Sequence, residues 1–296
     1  MFNHSPAVWR WPDLAGRQGE PYSMKSRVYN FLLLLILVIG LSLVAYPTFA
    51  DYWNSFHQSR AIASYVEQIA QIDPDKYTAY FEEADRYNES LIGRGLERFE
   101  PDEEELELYN SLLNVGGSGI IGTIEIPKIG VSLPLYHGTS DGVLQIAIGH
   151  VEGTSLPTGS EGTHVVVSGH RGLPSARLFT DLDKMEIGDE FVMQILDRTQ
   201  TYEVDQIRIV LPYELDSLEI EEDQTLCTLV TCTPYGINSH RMLIRGHRVE
   251  NREAARSIHV TADAIRIEPI LVAPVVAVPL LLMLFSMLMF STRKKK

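Results

Sequence analysis

This chain of 296 residues is poor in cysteine and short of positive charge. Its two cysteines, Cys227 and Cys232, are too few for a disulfide scaffold or a four-thiolate zinc site. Only 25 Lys and Arg face 39 Asp and Glu, giving a formal net charge of -14, which speaks against a basic surface for nucleic acid. Neither an HExxH nor a CxxC string occurs, so common zinc signatures are missing too. No repeat and no low-complexity tract interrupts the sequence. With 45% hydrophobic and 22% charged residues, wholesale disorder is excluded and a sizeable core is expected.

Charge is absent altogether from two runs. Phe31 to Ala50 is one, and its 20 residues would make about 30 Å of helix, enough to cross a bilayer core. Pro269 to Phe290 is the other, where Pro274 and Pro279 are breaks that a membrane tolerates when neighbours satisfy the backbone. Lys25 and Arg27 precede the first run; Arg293, Lys294, Lys295 and Lys296 follow the second. The positive-inside rule then predicts a cytoplasmic segment 1–30, a transmembrane helix 31–50, a second at 269–290 and a basic cytoplasmic tail 291–296. Residues 51–268 would form an outward-facing domain at the cell membrane. A buried core helix is the rival for either run. For the first, Thr48-Phe49-Ala50 also fits a secretory cleavage site. The expected exported part holds 37 of the 39 acidic residues and 17 of the 25 basic ones, which reads as solubility at a crowded surface.

Within that part, 51–117 reads as a helical region. Ile62, Val66, Ile69 and Ala70 recur at helical spacing until Asp73-Pro74 breaks them. A second helix is expected from Asp75 to about Ile92. A third follows Pro101-Asp102, where acidic residues 102–105 suit a helix N-terminus, and a loop lies between the two. After Gly116-Gly117-Ser118-Gly119 the texture becomes short β-branched runs between Gly and Pro. Strands are expected at Ile120–Ile126, Val131–Tyr136, Thr163–Ser168, Glu190–Leu196, Thr201–Val210, Thr225–Thr231 and Arg241–Val249, which predicts a small barrel or sandwich over 118–250. Residues 251–268 read as a connector.

Three residues in this β region carry chemistry. Cys232 ends a strand and precedes a Thr-Pro-Tyr-Gly turn, so its thiol is expected at the sheet rim, where it is a nucleophile candidate. Cys227 lies five residues earlier, faces the other way on a regular strand, and reads as a small buried hydrophobe. His170 also ends a strand, between Gly169 and Gly172, where a substrate backbone can come close. Arg241 opens the strand after the Cys232 turn, and a hairpin would return it to the thiol. His137, His150, His164, His240 and His247 read as structural or solvated.

Thr228-Leu229-Val230-Thr231-Cys232 matches the TLxTC signature of sortases, the cysteine transpeptidases of the Gram-positive cell surface. The longer strings SGHRGLPSARLFTDLDK (168–184) and TLVTCTPYGINSHRMLIRGHR (228–248) resemble class C sortases, which polymerise pilins. The resemblance spans about Gly119 to Val249 and implies a mainly β fold, a closed barrel of about eight strands behind N-terminal helices. It implies Cys232 as nucleophile, His170 as general acid/base and Arg241 as holder of substrate and oxyanion. The implied reaction cleaves an LPxTG-like signal between Thr and Gly through a thioacyl-enzyme, then transfers it to a pilin lysine. Pilins or surface proteins bearing that signal are the implied partners, with no cofactor and no nucleic acid. Class C sortases usually carry a lid with an Asp-Pro-aromatic motif. The corresponding loop here, within 93–102, reads Phe99-Glu100-Pro101-Asp102, with an acid before proline and no aromatic after it. Two other chemistries use the same residues: attachment of surface proteins to a peptidoglycan precursor, and hydrolysis by an exported cysteine peptidase. A metal-dependent binding module built on the histidines is a non-enzymatic alternative.

Overall fold

The computed structural model describes residues 24–251. The chain divides into two compact units, residues 1–45 and 46–296. A first helix, α1 (Met24–Ala70), begins in one and ends in the other. In the first unit its stretch from Val28 onward is apolar and exposed, and α1 is the one helix among the described residues long and apolar enough to cross a membrane. The expected second span, its connector and the basic tail lie outside the described residues.

In the second unit, helices lead into a β-barrel. Asp73 caps the turn that follows α1, its carboxylate accepting from the Asp75 N–H at 3.2 Å. Then comes α2 (Tyr77–Leu91), whose Phe81, Ala84, Tyr87 and Leu91 fall on one face and are buried. Its Asn88 amide donates to the Leu156 carbonyl at 3.0 Å and accepts from the Leu156 N–H at 2.7 Å, pinning the helix to a barrel loop. Asp102 and Glu105 form a capping box at the start of α3 (Glu103–Ser111), with Glu105 N–H to Asp102 at 2.8 Å. Both interhelix breaks stand where proline and acid clusters predict them.

Eight strands follow: β1 (Ile120–Ile126), β2 (Val131–His137), β3 (Ile148–His150), β4 (Thr163–Ser168), β5 (Glu190–Ile195), β6 (Arg198–Val210), β7 (Thr225–Thr233) and β8 (His240–Val249), with a one-turn helix, α4 (Asp141–Leu144), between β2 and β3. They close as β1-β2-β3-β4-β7-β8-β6-β5. Seven match expected strands to within a few residues. The eighth, β3, is only three residues long with glycine in the middle, too short to show alternation. Val165 and Val167 of β4, Cys227 and Leu229 of β7, and Ile244 of β8 point into the barrel core. The intervening Val166, Val230 and Leu243 point outward into a smaller cluster. That outer face of β4, β7 and β8 carries the candidate site.

Candidate active site

Two registers bring three distant residues to one edge of the barrel. β4 runs parallel to β7 with Ser168 opposite Val230, and the Gly169 N–H donates to the Val230 carbonyl at 3.0 Å. The Thr231 hydroxyl donates back to the Gly169 carbonyl at 2.8 Å. β4 ends at Ser168, so His170 follows two residues beyond the Ser168–Val230 pair, at the same edge of the barrel where Cys232 lies near the end of β7. On the other side β8 is antiparallel to β7, and Cys232 pairs directly with Arg241. Neighbouring strands lie about 4.8 Å apart, so the Cys232 thiol and the Arg241 guanidinium share one short row, with His170 following β4 at the same edge of the sheet. Side-chain alternation puts Cys232 on the outer face and Cys227 on the inner one.

Burial separates the two thiols. Cys227 is wholly buried with its Sγ 3.6 Å from Met193 Sδ, and burial pushes its pKa far up, so it stays a protonated thiol. Cys232 is half-buried. Among the described residues neither its thiol nor the His170 ring has a hydrogen-bond or ionic partner, so both are uncommitted. Arg241 has no carboxylate partner there; its Nη1 donates to the Asn238 and His240 carbonyls at 3.2 and 3.1 Å. Backbone carbonyls hold the guanidinium without neutralising it, leaving its charge available to a developing oxyanion.

Other histidines are structural. His150 is fully buried, its Nδ1 2.8 Å from the Tyr109 hydroxyl and its Nε2 2.8 Å from the Ser155 carbonyl, and burial lowers its pKa to about 3. His164 joins the Glu219 carbonyl at 2.7 Å to the Thr228 hydroxyl at 2.8 Å, and burial takes it to about 4. His137 packs edge-on against Tyr109 at 4.9 Å, likewise held near 4 by burial. His240 and His247 are half-buried on β8. Among the described residues no group of three or more His, Cys, Asp or Glu side chains could hold a metal ion.

Beside the row lies an apolar wall that the sequence did not reveal. Val166, Leu218 and Leu243 form its floor, with Phe99, Val151, Val210, Leu215 and Val230 packed against them. Val230 is two residues before Cys232 on the same face. Phe99 therefore sits over this outer face, at the end of a 3₁₀ turn, Gly95–Phe99. Arg98 holds the turn down: it is buried, its Nη2 donates to the Leu218 carbonyl at 2.7 Å, and its guanidinium lies 4.7 Å from the Phe99 ring. Gly153 makes room, since a Cβ there would fall 1.9 Å from the Arg98 carbonyl oxygen. Glu100 is exposed and Pro101 half-buried. An arginine in a loop reads as a solvated charge, so nothing local marked Arg98.

Comparison with known proteins bears on this geometry. The family model described as Sortase domain matches residues 124–249. Sortase D of Bacillus subtilis (strain 168) is 30% identical over 131 residues, 43% of this chain, and the chain spans 63% of that relative's length. Among solved structures, sortase C1 from Streptococcus agalactiae is 49% identical with a TM-score of 0.63, covering 65% of this chain and 100% of that one. A Clostridium perfringens sortase C, solved with the C-terminal cell wall sorting motif, is 40% identical with a TM-score of 0.57, covering 65% and 99%.

Proposed function

The chain belongs to the sortase family, and from that premise we propose that it is a membrane-anchored class C transpeptidase that joins pilin subunits. Cys232 is the nucleophile, His170 the general acid and base, and Arg241 the oxyanion holder. The observation that carries this reading is the direct pairing of half-buried Cys232 with Arg241, whose charge no carboxylate neutralises, with the uncommitted His170 just past the end of the neighbouring strand β4.

A free thiol near pKa 8.5 is only a few per cent thiolate at neutral pH, so the cation beside Cys232 assists its attack. With the thiol proton held by His170, the Cys232 sulfur bonds to the Thr carbonyl carbon of the Thr–Gly bond in an LPxTG-like signal. The carbonyl electrons move to oxygen, where the Arg241 N–H groups donate to the oxyanion. Collapse breaks the C–N bond, and His170 protonates the departing glycine amine. A thioacyl-enzyme remains. His170 then takes a proton from an incoming lysine amine, whose nitrogen displaces the Cys232 sulfur and forms an isopeptide bond. Arg241 stays protonated throughout, so its role is electrostatic.

Support for the pilin acceptor comes from the resemblance of the strings at 168–184 and 228–248 to class C sortases, and support for the signal from the C. perfringens sortase C solved with a sorting motif. The apolar helix near the N-terminus supports the anchor, and Lys25 and Arg27 before it favour an orientation with the barrel outside the cell. We assign the lid role in this chain chiefly to Phe99, fastened by Arg98, with Glu100 and Pro101 as its continuation.

The acceptor is the point to test. Full-length protein is incubated with an LPxTG peptide and either a lysine-bearing pilin segment, a peptidoglycan-precursor amine, or no amine. An isopeptide-linked product that dominates with the pilin segment supports the proposal. Preference for the precursor amine would make this a wall-anchoring sortase. Hydrolysis that added amine does not divert would make it a cysteine peptidase.

A further inference from the structure

Just beyond the uncharged run 31–50, α1 changes character. On one face Asp51, Asn54, Gln58 and Tyr65 turn toward the barrel. The Asp51 carboxylate accepts from the Arg177 N–H at 2.9 Å, the Asn54 amide donates to the Ser175 carbonyl at 2.8 Å, and the Gln58 amide donates to the Ile146 carbonyl at 2.6 Å. Tyr65 is buried, its hydroxyl donating to the Ile121 carbonyl at 2.8 Å. On the opposite face Phe49, Tyr52, Trp53 and Phe56 follow at helical spacing, and all four are exposed, Phe49 by 67% and Trp53 by 56%. They are not scattered. The Trp53 and His57 rings lie 4.9 Å apart, Phe56 meets His57 at 6.0 Å, and the Arg60 guanidinium covers Phe56 at 4.5 Å. Four exposed aromatics outside the core on one helix face, two of them gathered around His57, mark a contact surface.

The composition of the patch says what covers it. Tyr and Trp concentrate at membrane–water interfaces, where an apolar ring with a polar edge is best solvated, and arginine snorkels beside them. Trp53 follows Ala50, the last uncharged residue of the run, by three positions, about 4.5 Å of helical rise, which is headgroup depth. We propose that Phe49, Tyr52, Trp53 and Phe56 form a lipid-docking face that seats the second unit on the bilayer surface. This goes beyond the anchoring reading and rests on residues 31–50 being the span.

Docking here has a consequence for the site. The segment held by Asp51 and Asn54 is the one that leaves His170, and the Phe179 N–H closes it by donating to the His170 carbonyl at 3.1 Å. With Trp53 at headgroup depth, the His170–Phe179 loop, which Asp51 and Asn54 hold from the same stretch of helix, is kept close to the bilayer surface. A polypeptide tethered in the same membrane then meets the catalytic row at a fixed height.

The test uses the full chain in phosphatidylcholine–phosphatidylglycerol vesicles. Trp9→Phe with Trp11→Phe leaves Trp53 as the sole indole. Two reference proteins also lack Trp53 (Trp53→Phe) and carry Val38→Trp within the uncharged run or Tyr213→Trp on the barrel. Lipids brominated near the headgroup or near the bilayer centre quench by depth, and aqueous iodide reports exposure to water. The proposal expects Trp53 to be blue-shifted relative to Tyr213→Trp, quenched most by the shallow bromines and shielded from iodide. If Val38→Trp is quenched by the deep bromines while Trp53 behaves like Tyr213→Trp, the span stands and the docking face is refuted. Shielding of Trp53 from iodide without bromine quenching also refutes it, pointing to a protein cover such as a second copy. Absence of quenching at Val38→Trp removes the span itself, and the proposal with it.

Discussion

Acid should loosen this barrel well before its carboxylates titrate. His137, His150 and His164 are held neutral by burial, with pKa values near 4, 3 and 4, against about 6.5 in an unfolded chain. Depressed histidine values mean that the unfolded state takes up protons first as pH falls, so stability is fully present above pH 6.5 and declines below it. Going from about pH 7.5 to about pH 5.5, each histidine costs about 1.4 kcal/mol, and the three together about 4 kcal/mol. Half-buried Glu125 works the other way, because burial raises its pKa and its native form gains a proton in acid, offsetting part of the loss. Urea unfolding of the full chain in detergent, followed by near-UV circular dichroism at the two pH values, reads the difference. His164→Gln, which retains a donor for the Glu219 carbonyl, should remove about a third of the pH dependence while lowering stability at neutral pH. Equal stability at both pH values, or imidazole resonances of these three residues titrating near 6.5, would refute the reasoning.

Three further outcomes follow from named contacts. Phe99→Ala should speed alkylation of Cys232 by a neutral maleimide, because it uncovers the wall two residues from the thiol, whereas exposed Glu100→Ala should change the rate little; the reverse order would move the lid role to Glu100. Asp102→Ala removes the side-chain acceptor of the Glu105 N–H while leaving the residue-102 N–H able to donate to Glu105, and should cost about 1 kcal/mol in urea unfolding; no change would mean that the Asp102 cap contributes nothing to α3. Arg241→Lys keeps the charge but loses the planar fork, so acylation should fall by about 10²–10³, equivalent to about 3–4 kcal/mol of barrier; an undiminished rate would exclude an oxyanion role.

Much of this architecture was written locally. Asp73-Pro74 and Pro101-Asp102 end and begin helices by chemistry visible within four residues, and Cys227 and Cys232 announce opposite faces by their odd spacing. The Cys232–Arg241 pairing was also within reach, because a hairpin needs no partner beyond its own two strands. What stayed hidden depends on non-local packing. The parallel pairing of β4 with β7 joins segments some sixty residues apart, and only that register brings the end of β4, which His170 follows, to the edge of the sheet where Cys232 lies. Runs such as Val165-Val166-Val167 are apolar throughout, so they cannot tell which valine faces the core and which the outer wall. Arg98 becomes a buried strut only because the Leu218 carbonyl and the Phe99 ring meet it there. Its charge pattern in sequence is that of any surface loop.

The central claim is that Cys232 carries the acyl group. Intact mass and peptide mapping of the full-length protein after incubation with an LPxTG peptide test it most directly, with Cys232→Ala and Cys227→Ala beside the wild type and Phe99→Ala as a second background. The account predicts a thioester-linked adduct on the peptide containing Cys232, present in Cys227→Ala, abolished in Cys232→Ala, and discharged by added amine. An adduct that persists in Cys232→Ala, or that maps to Cys227, would contradict it.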